Sequence, residues 1–575
     1  MSRDRLPALV FLALTLAVYA AGALVPYRLD TDTGFQLRSA QQWARGESPS
    51  PGTLLLPDPE DLGRDTLLWS NWWPPGFPFL YAPAIAAGLP LATALRLTSL
   101  LLFLAGSAGW LRIARGLELP RSVLLLFALS LAGYALTIGG AASLRTADLL
   151  AYAAGPWLAL LVLRLAPRPA PLFFGGLALG ASYAVRYSLF LAALAFAAFL
   201  AARAALPRDL PFRLRTGRLA ALGLGFALPV LALFLWNLRQ SESLTESATG
   251  TRSAWEVDGS SEVRPILLAV SLAGSPGLSL FQNDLWITHL TQFSDARIPW
   301  FRGLDAAGRL RAKALFGLPA TVALLGGLVR ALRRRPGPEG ALAVTALAGF
   351  YLALLGLSVA VGYNYLGHEA RLSAGFLPLV SLLAVAGWLP APGRPLRSWE
   401  RPLAAGLLAL FFAAPLAFVA GSFARNDIAD RLAVPYKASE TGLFLPEISS
   451  RDVPAVEAAL GSVLRSPEDL IVLSGPPGWG SAFLLWLEIP QRTLPVATFF
   501  APLGARYLEA ADLRGETPLV SSRPLRVVLV ISKSLTGDGT LEKLQARFPQ
   551  AKSWQSAPEP AHATVAIYFS DLEVP

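Results

Sequence analysis

The chain has 575 residues, of which 54% are hydrophobic and only 15% are charged, and its mean hydropathy is +0.49. Because an average soluble domain carries roughly 25% charged residues, these values exclude a water-soluble enzyme and a disordered or collagen-like chain. The absence of cysteine excludes a disulfide framework and a thiolate nucleophile. The net charge of +10 does not indicate a nucleic-acid partner, because residues 425–575 hold 14 basic and 17 acidic residues and the positive excess lies elsewhere.

Eleven apolar runs are close to the roughly 20 residues that a helix needs to cross a bilayer core about 30 Å thick. They are residues 6–25, 91–111, 121–140, 147–163, 171–185, 187–205, 218–236, 314–332, 340–361, 373–390 and 402–422. They predict an α-helical multi-pass membrane protein with about 11 transmembrane helices in residues 1–424. Two shorter apolar segments contain proline and glycine. Phe77–Leu89 predicts a membrane-edge or re-entrant helix, and Pro265–Leu280 favours an interfacial helix over a spanning one.

Arginines cluster in alternate connections between the runs, and this asymmetry predicts the orientation. The N-terminus is predicted to be cytoplasmic, and residues 26–76 and 237–312 are predicted to be outer loops. The first run is longer than the apolar core of a usual signal peptide, which favours an uncleaved anchor. The excess of arginine over lysine, 44 against 5, suggests a bacterial protein with a high-GC gene and therefore the inner membrane.

Residues 425–575 are less apolar and predict a small periplasmic α/β domain. Leu470–Ser474 and Leu525–Ile531 are continuous apolar runs rich in β-branched residues, as expected of buried strands. Thr540–Phe548 has helical spacing, and Ala563–Phe569 predicts a further strand.

Charge inside a membrane span is costly and usually marks function, but ionisable residues are rare in the middle of the predicted spans and recur instead at their outer ends. This rim set comprises Asp30, Asp32, Arg38, Arg145, Asp148, Arg186, His368, Glu369 and Arg371. Interfacial anchoring is an adequate explanation for any one of them. Together they favour chemistry on a lipid head group, since a transporter places such groups near the midplane.

The rim set contains acidic and basic residues, and each kind can perform a different chemical role. Asp30 and Asp32 are two positions apart, so that they can hold a divalent cation, or one can be a general base toward a hydroxyl group. Basic residues can bind a phosphate leaving group and stabilise its developing charge. The residues alone leave the cation and the base as open alternatives.

Four segments carry a family resemblance. They are Asp32–Gly46 after the first span, Trp73-Pro-Pro-Gly-Phe-Pro78 before the second, Ala184–Tyr187 after the fifth, and Glu369–Leu372 followed by Leu377-Pro378. They resemble motifs of the multi-pass glycosyltransferases of the GT-C fold, the group that contains protein O-mannosyltransferases and the lipid A aminoarabinose transferase. The chain departs from the pattern at Thr33, where many relatives have glutamate, and at Leu372, where tyrosine is usual.

The resemblance implies inverting transfer of a sugar from a polyprenyl-phosphate donor to a lipid, polysaccharide or protein acceptor at the outer face of the membrane. By the same resemblance, Asp32 is the expected general base, with Asp30 second. The expected ligands of the donor phosphate are Arg371, Arg186 and His368. Candidate supporting residues are Asp148, Arg145, Glu369 and Arg96.

No metal is expected to be required, because most relatives of this branch are thought to work without one, although a divalent cation at Asp30 and Asp32 stays open. Two other functions also stay open at this point. One is a non-catalytic membrane subunit, and the other is a transporter or flippase for a lipid-linked glycan.

Overall fold

A computed structural model describes residues 5–574 except 24–27, 30, 59, 70–73, 137, 142, 145–147, 207–210, 242–275, 278–305, 335–336, 362–372, 391–396, 415, 418–452, 467, 475–491, 497–517, 534–535, 537–538 and 559–564. The described part is mostly helical up to residue 417 and mixed α/β from residue 453 onward.

The helices of the first part lie mostly in the apolar runs. They are α1 (Leu6–Ala23), α2 (Thr31–Ala44), α3 (Gly76–Ala86), α4 (Leu91–Gly116), α5 (Arg121–Gly133), α6 (Asp148–Arg164), α7 (Pro169–Val185), α8 (Tyr187–Ala205), α9 (Phe212–Ser241), α10 (Ala306–Arg334), α11 (Pro338–Val361), α12 (Leu377–Trp388) and α13 (Glu400–Leu408). A helix therefore lies in each of the eleven predicted runs, and α3 lies where a membrane-edge helix is predicted.

Three helices within the described residues are both long and apolar enough to cross a membrane, namely Leu6–Ala23, Thr93–Gly116 and Phe212–Arg239. Several other helices are apolar but shorter, for example Pro169–Val185 and Leu377–Trp388. The apolar helices fit a membrane protein, whereas the total of about 11 crossing helices stays a prediction.

Glycine lets α7 and α9 pack backbone to backbone. A Cβ atom at Gly176 or Gly180 of α7 would overlap the main chain of α9, and one at Gly225 of α9 would overlap the carbonyl of Phe173. Close approach through small residues is the usual way in which helices associate in lipid, where burial of apolar surface provides little driving force.

Arginines cover the ends of two helices on the predicted cytoplasmic side. Arg203 of α8 donates a hydrogen bond of 2.9 Å to the carbonyl of Val162, near the end of α6. Arg334 of α10 donates one of 3.1 Å to the carbonyl of Leu389, just after α12. Since the last carbonyls of a helix have no partner within the helix, these cations both satisfy them and interact favourably with the helix dipole.

Four short strands connect the helices on the predicted outer side. They are β1 (Arg28–Leu29), β2 (Thr53–Pro57), β3 (Asp65–Trp69) and β4 (Ser143–Leu144). β1 pairs in parallel with β4, and β2 pairs antiparallel with β3 to form a hairpin within the predicted first outer loop.

The C-terminal part contains a five-stranded sheet. Its elements are α14 (Val453–Val463), β5 (Leu470–Ser474), β6 (Arg492–Val496), β7 (Leu525–Ser532), α15 (Thr540–Ala546), β8 (Gln555–Ser556) and β9 (Val565–Leu572). The strand order is β6-β5-β7-β9-β8, with β6, β5 and β7 parallel and β9 and β8 antiparallel. The three strands and the helix predicted from the sequence are all present, and their assignment to a separate periplasmic domain stays a prediction.

Candidate active site

The site begins at the two-residue ladder between β1 and β4. Arg28 pairs with Ser143 and Leu29 with Leu144, in parallel. Parallel strands end on the same side of a ladder, so that the chain leaves both strands in the same direction. Helix α2 begins two residues after β1, and helix α6 begins four residues after β4. The ladder therefore holds the first turns of α2 and α6 near each other, although the two segments are over 100 positions apart in the sequence.

Each of these first turns contains a carboxylate residue. Asp32 is the second residue of α2, and Asp148 is the first residue of α6. The N-terminal end of a helix carries partial positive charge, which stabilises a carboxylate there.

Asp148 forms a buried ion pair with Arg186. The Arg186 Nη2 atom donates to Asp148 Oδ1 at 2.8 Å, and the two side chains are 11% and 2% exposed. Arg186 lies at the junction of α7 and α8 in extended backbone, with φ −163° and ψ 132°, so the chain turns there without a loop. A buried charge is tolerated only when it is paired, and this pair fixes the α7–α8 junction against the start of α6.

The proline-glycine segment lies against the same junction. A Cβ atom at Gly76 would come within 2.6 Å of the Cα atom of Val185 and 2.8 Å of the carbonyl oxygen of Ala184. No residue other than glycine fits there without moving the main chain. The start of α3 therefore packs against Val185, the residue before Arg186.

A small apolar cluster lies under these contacts. It joins Leu37 of α2, Phe77 and Tyr81 of α3, Leu91 of α4 and Leu150 of α6, all of which are buried, and Val185 packs against it. Each of these helices thus contributes an apolar side chain to one cluster, and Leu37, Phe77, Leu150 and Val185 lie within five positions of Asp32, Gly76, Asp148 and Arg186, respectively.

The turn that precedes Leu377-Pro378 packs near the same place. Gly375 lies four residues after Arg371, and a Cβ atom there would be 3.1 Å from Leu189 Cδ1 and 3.3 Å from the carbonyl oxygen of Ala151. A Cβ atom at Gly155 would in turn overlap the carbonyl of Gly375. The turn at residues 373–376 is therefore packed between α6 and α8, about one turn from Asp148 and from Arg186.

Arg38 is a buried cation on the helix that carries Asp32. It is 9% exposed, and its Nη1 atom donates to Gln41 Oε1 at 3.0 Å. Burial lowers the pKa of Arg38, and the charge of Glu47 opposes this shift.

Several sequence-predicted residues lie outside the described part of the chain, namely Asp30, Arg145, His368, Glu369 and Arg371. For Asp32 only the position in α2 is described, and Arg96 is half-buried near the start of α4. Among the described residues, no group of three His, Asp or Glu side chains is arranged to hold a metal ion. The structure thus brings together the first turns of α2 and α6, the start of α3 and Arg186, with the residue 373–376 turn beside them.

Sequence reasoning missed two polar residues that hold α2 in place. Gln42 is 2% exposed and pairs through its side-chain amide with the backbone of Leu55, with both hydrogen bonds at 2.8 Å. Ser39 is 1% exposed and donates to the carbonyl of Pro51 at 2.8 Å. Both residues lie within the Asp32–Gly46 motif. The adjacent polar residues Gln41 and Gln42 are the sequence signal that could have indicated buried hydrogen bonds in this helix.

No protein-family model matches the chain, and no curated protein matches it. Solved structures resemble it over nearly its whole length. ArnT from Cupriavidus metallidurans bound to undecaprenyl phosphate is 16% identical with a TM-score of 0.42, over 98% of this chain and 97% of that chain. The apo state of the same protein is 15% identical with a TM-score of 0.44, over the same shares of the two chains.

The arabinofuranosyltransferase AftD from Mycobacteria is 15% identical with a TM-score of 0.44, over 99% of this chain and 40% of that chain. The first of these structures contains undecaprenyl phosphate, and AftD is an arabinofuranosyltransferase.

Proposed function

We propose that this chain is an inner-membrane glycosyltransferase. It moves a sugar from a polyprenyl-phosphate-linked donor to an acceptor hydroxyl at the periplasmic face, with inversion at the anomeric carbon. The ArnT structure that the chain resembles contains undecaprenyl phosphate, and a lipid of this class is the donor carrier proposed for this chain.

The proposal rests on the convergence of segments that are far apart in the sequence. Asp32 and Asp148 begin two helices that leave one parallel ladder. Gly76 packs on the residue before Arg186, and Arg186 is paired with Asp148. This convergence supports a single site on a lipid head group over a set of unrelated interfacial anchors.

In the proposed reaction, the Asp32 carboxylate takes the proton of the acceptor hydroxyl, with Asp30 as the second candidate. The acceptor oxygen then attacks the anomeric carbon from the side opposite the phosphate, and the bond to the phosphate oxygen breaks. The electron pair leaves on the polyprenyl phosphate, so the products are the glycosylated acceptor and the lipid phosphate. A carboxylate within hydrogen-bond reach of the hydroxyl is what general-base catalysis requires.

Cationic side chains serve the leaving group in this scheme. Arg371, Arg186 and His368 are proposed to bind the donor phosphate, with Arg145, Glu369 and Arg96 in support. The guanidinium of Arg186 uses one nitrogen for Asp148, and its planar fork has further N–H groups for phosphate oxygens. Asp148 is proposed to orient Arg186, and a preorganised donor of this kind stabilises charge that develops in the transition state.

The test is mass spectrometry of lipid extracts and envelope glycans from wild type, a deletion strain, and the deletion strain carrying either wild type or Asp32→Asn. The proposal predicts that a polyprenyl-phosphate sugar accumulates and that one glycan loses a residue, in the deletion and in Asp32→Asn. If Asp32→Asn fully rescues the deletion strain, Asp32 is not the base and Asp30 becomes the candidate. Unchanged profiles in the deletion strain contradict the transferase function, and lipid relocation without a change in glycan linkages supports a flippase.

A further inference from the structure

The first outer loop reaches into the C-terminal sheet. Leu62, in the turn of the β2–β3 hairpin, is fully buried among the core residues of the sheet, which include Leu470, Val527 and Leu529. Its amide donates to the carbonyl of Val520 at 2.8 Å. A residue from the N-terminal fifth of the chain therefore completes the core of the C-terminal sheet.

The carboxylate beside Leu62 fixes the same contact. Asp61 is 8% exposed, and its Oδ1 atom accepts hydrogen bonds from the amides of Ser522 at 2.8 Å and Gly63 at 2.9 Å. Its Oδ2 atom lies 2.9 Å from Nε of Arg64. Desolvation alone raises the pKa of a carboxyl group, but these hydrogen bonds and the charge of Arg64 outweigh it and lower the pKa of Asp61 to about 2.

The other end of the hairpin is attached to α2. Gln42 of α2 pairs with both backbone groups of Leu55 in β2, and the Ser39 hydroxyl donates to the carbonyl of Pro51. β2 and β3 pair over all five of their residues, from Thr53–Trp69 to Pro57–Asp65. A continuous set of hydrogen bonds thus runs from the C-terminal sheet through the hairpin to the helix that carries Asp32.

We propose that the C-terminal sheet positions the catalytic helix α2 through this hairpin, with Asp61 and Gln42 as positioning residues. A two-stranded hairpin is marginally stable by itself in water, so its order depends on what holds its ends. The sheet supplies one anchor at Asp61 and Leu62, and α2 is the element fixed at the other end. The catalytic consequence rests on the proposed function, whereas the mechanical link does not.

The link is measured first, by hydrogen–deuterium exchange on the purified full-length protein in detergent. Asp61→Ala removes the acceptor for the amides of Gly63 and Ser522, and Asp61→Asn keeps Oδ1 as an acceptor. Glu60→Gln is the matched control, since Glu60 lies in the same turn, is exposed and loses the same charge. We expect Asp61→Ala to raise amide exchange in Thr31–Ala44 by about tenfold or more, with Asp61→Asn restoring most of the protection and Glu60→Gln unchanged.

Exchange in the central strand β7 separates positioning from unfolding of the sheet. The proposal predicts that β7 keeps its protection in Asp61→Ala while α2 loses it. If Asp61→Ala does not accumulate, Gln42→Leu breaks the link at the helix end and is expected to give the same pattern. Unchanged exchange of α2 in either variant overturns the proposal, and so does equal loss of protection in α2 and β7.

Sugar transfer in the deletion strain is the second readout, at matched expression of each variant. We expect Asp61→Ala and Gln42→Leu to lower transfer about tenfold, with rescue by Asp61→Asn. If α2 loses protection from exchange while sugar transfer stays at the wild-type level, the link has no catalytic role. If the wild type transfers no sugar, the proposed function fails, and the exchange experiment still decides whether the sheet positions α2.

Discussion

Asp148 and Arg186 should behave as one unit in stability measurements. Their side chains are 2% and 11% exposed, and Nη2 and Oδ1 are 2.8 Å apart. Asp148→Asn leaves a guanidinium group in a low-dielectric environment without its counter-charge, and Arg186→Gln leaves a carboxylate. Loss of one partner of a buried pair costs about 3–5 kcal/mol. Loss of both charges together removes mainly a hydrogen bond, which costs about 1 kcal/mol.

The assay is unfolding of the purified protein in mixed detergent micelles, with the two single variants and the double variant Asp148→Asn/Arg186→Gln. The double variant is expected to be more stable than either single variant, with an interaction energy of at least about 2 kcal/mol. The exposed pair Lys552–Glu573 is a control whose loss should leave the unfolding transition unchanged. Additive costs, or single variants as stable as wild type, would refute the reasoning.

Three further predictions follow from local geometry. Gly155→Ala should destabilise the fold by about 1–3 kcal/mol and lower sugar transfer, because the Cβ atom of the new alanine overlaps the carbonyl of Gly375. Gly223→Ala is the control, since a Cβ atom there meets open space. The pKa of Asp61 is lowered to about 2, so the stabilisation that its carboxylate provides is complete above the unfolded pKa of about 3.9 and is lost as pH falls toward 2. Amide exchange of the hairpin, measured during an acid titration, should show this pH dependence in the wild type and not in Asp61→Asn. Arg203→Met should lower the free energy of unfolding by about 1.5–3 kcal/mol, because the carbonyl of Val162 loses a charged donor.

Helix α2 lies in a predicted outer loop and was not predicted, whereas the helices in the apolar runs could be predicted because a long apolar run can satisfy its backbone only as a helix in lipid. Their boundaries could not, since helices continue past the apolar run where polar residues are tolerated. Helix α9 spans Phe212–Ser241 although its apolar run covers 218–236. Strands β6 and β8 were missed because Arg492–Val496 contains proline and Gln555–Ser556 has only two polar residues.

The sequence predicts a common depth for the candidate site residues but not their contacts. Runs of fixed length place Asp148 and Arg186 at the outer rim, and the sequence predicts nothing about which rim residues touch. The pairing of Asp148 with Arg186 depends on the packing of α6 against α7 and α8.

The docking of Leu62 in the C-terminal sheet was also invisible in the sequence. A single leucine in a polar turn has no periodicity, and its burial depends on a surface formed more than 400 residues later.

The most direct test of the account uses the purified protein in liposomes that contain the lipid extract of the deletion strain. Release of polyprenyl phosphate and the appearance of the missing sugar on its acceptor are followed by mass spectrometry. The account predicts release and transfer with the wild type, with loss of both in Asp32→Asn and inversion at the anomeric carbon of the product. Sugar-bearing lipid that crosses the bilayer intact, with no lipid phosphate released and no new glycosidic bond, would contradict it.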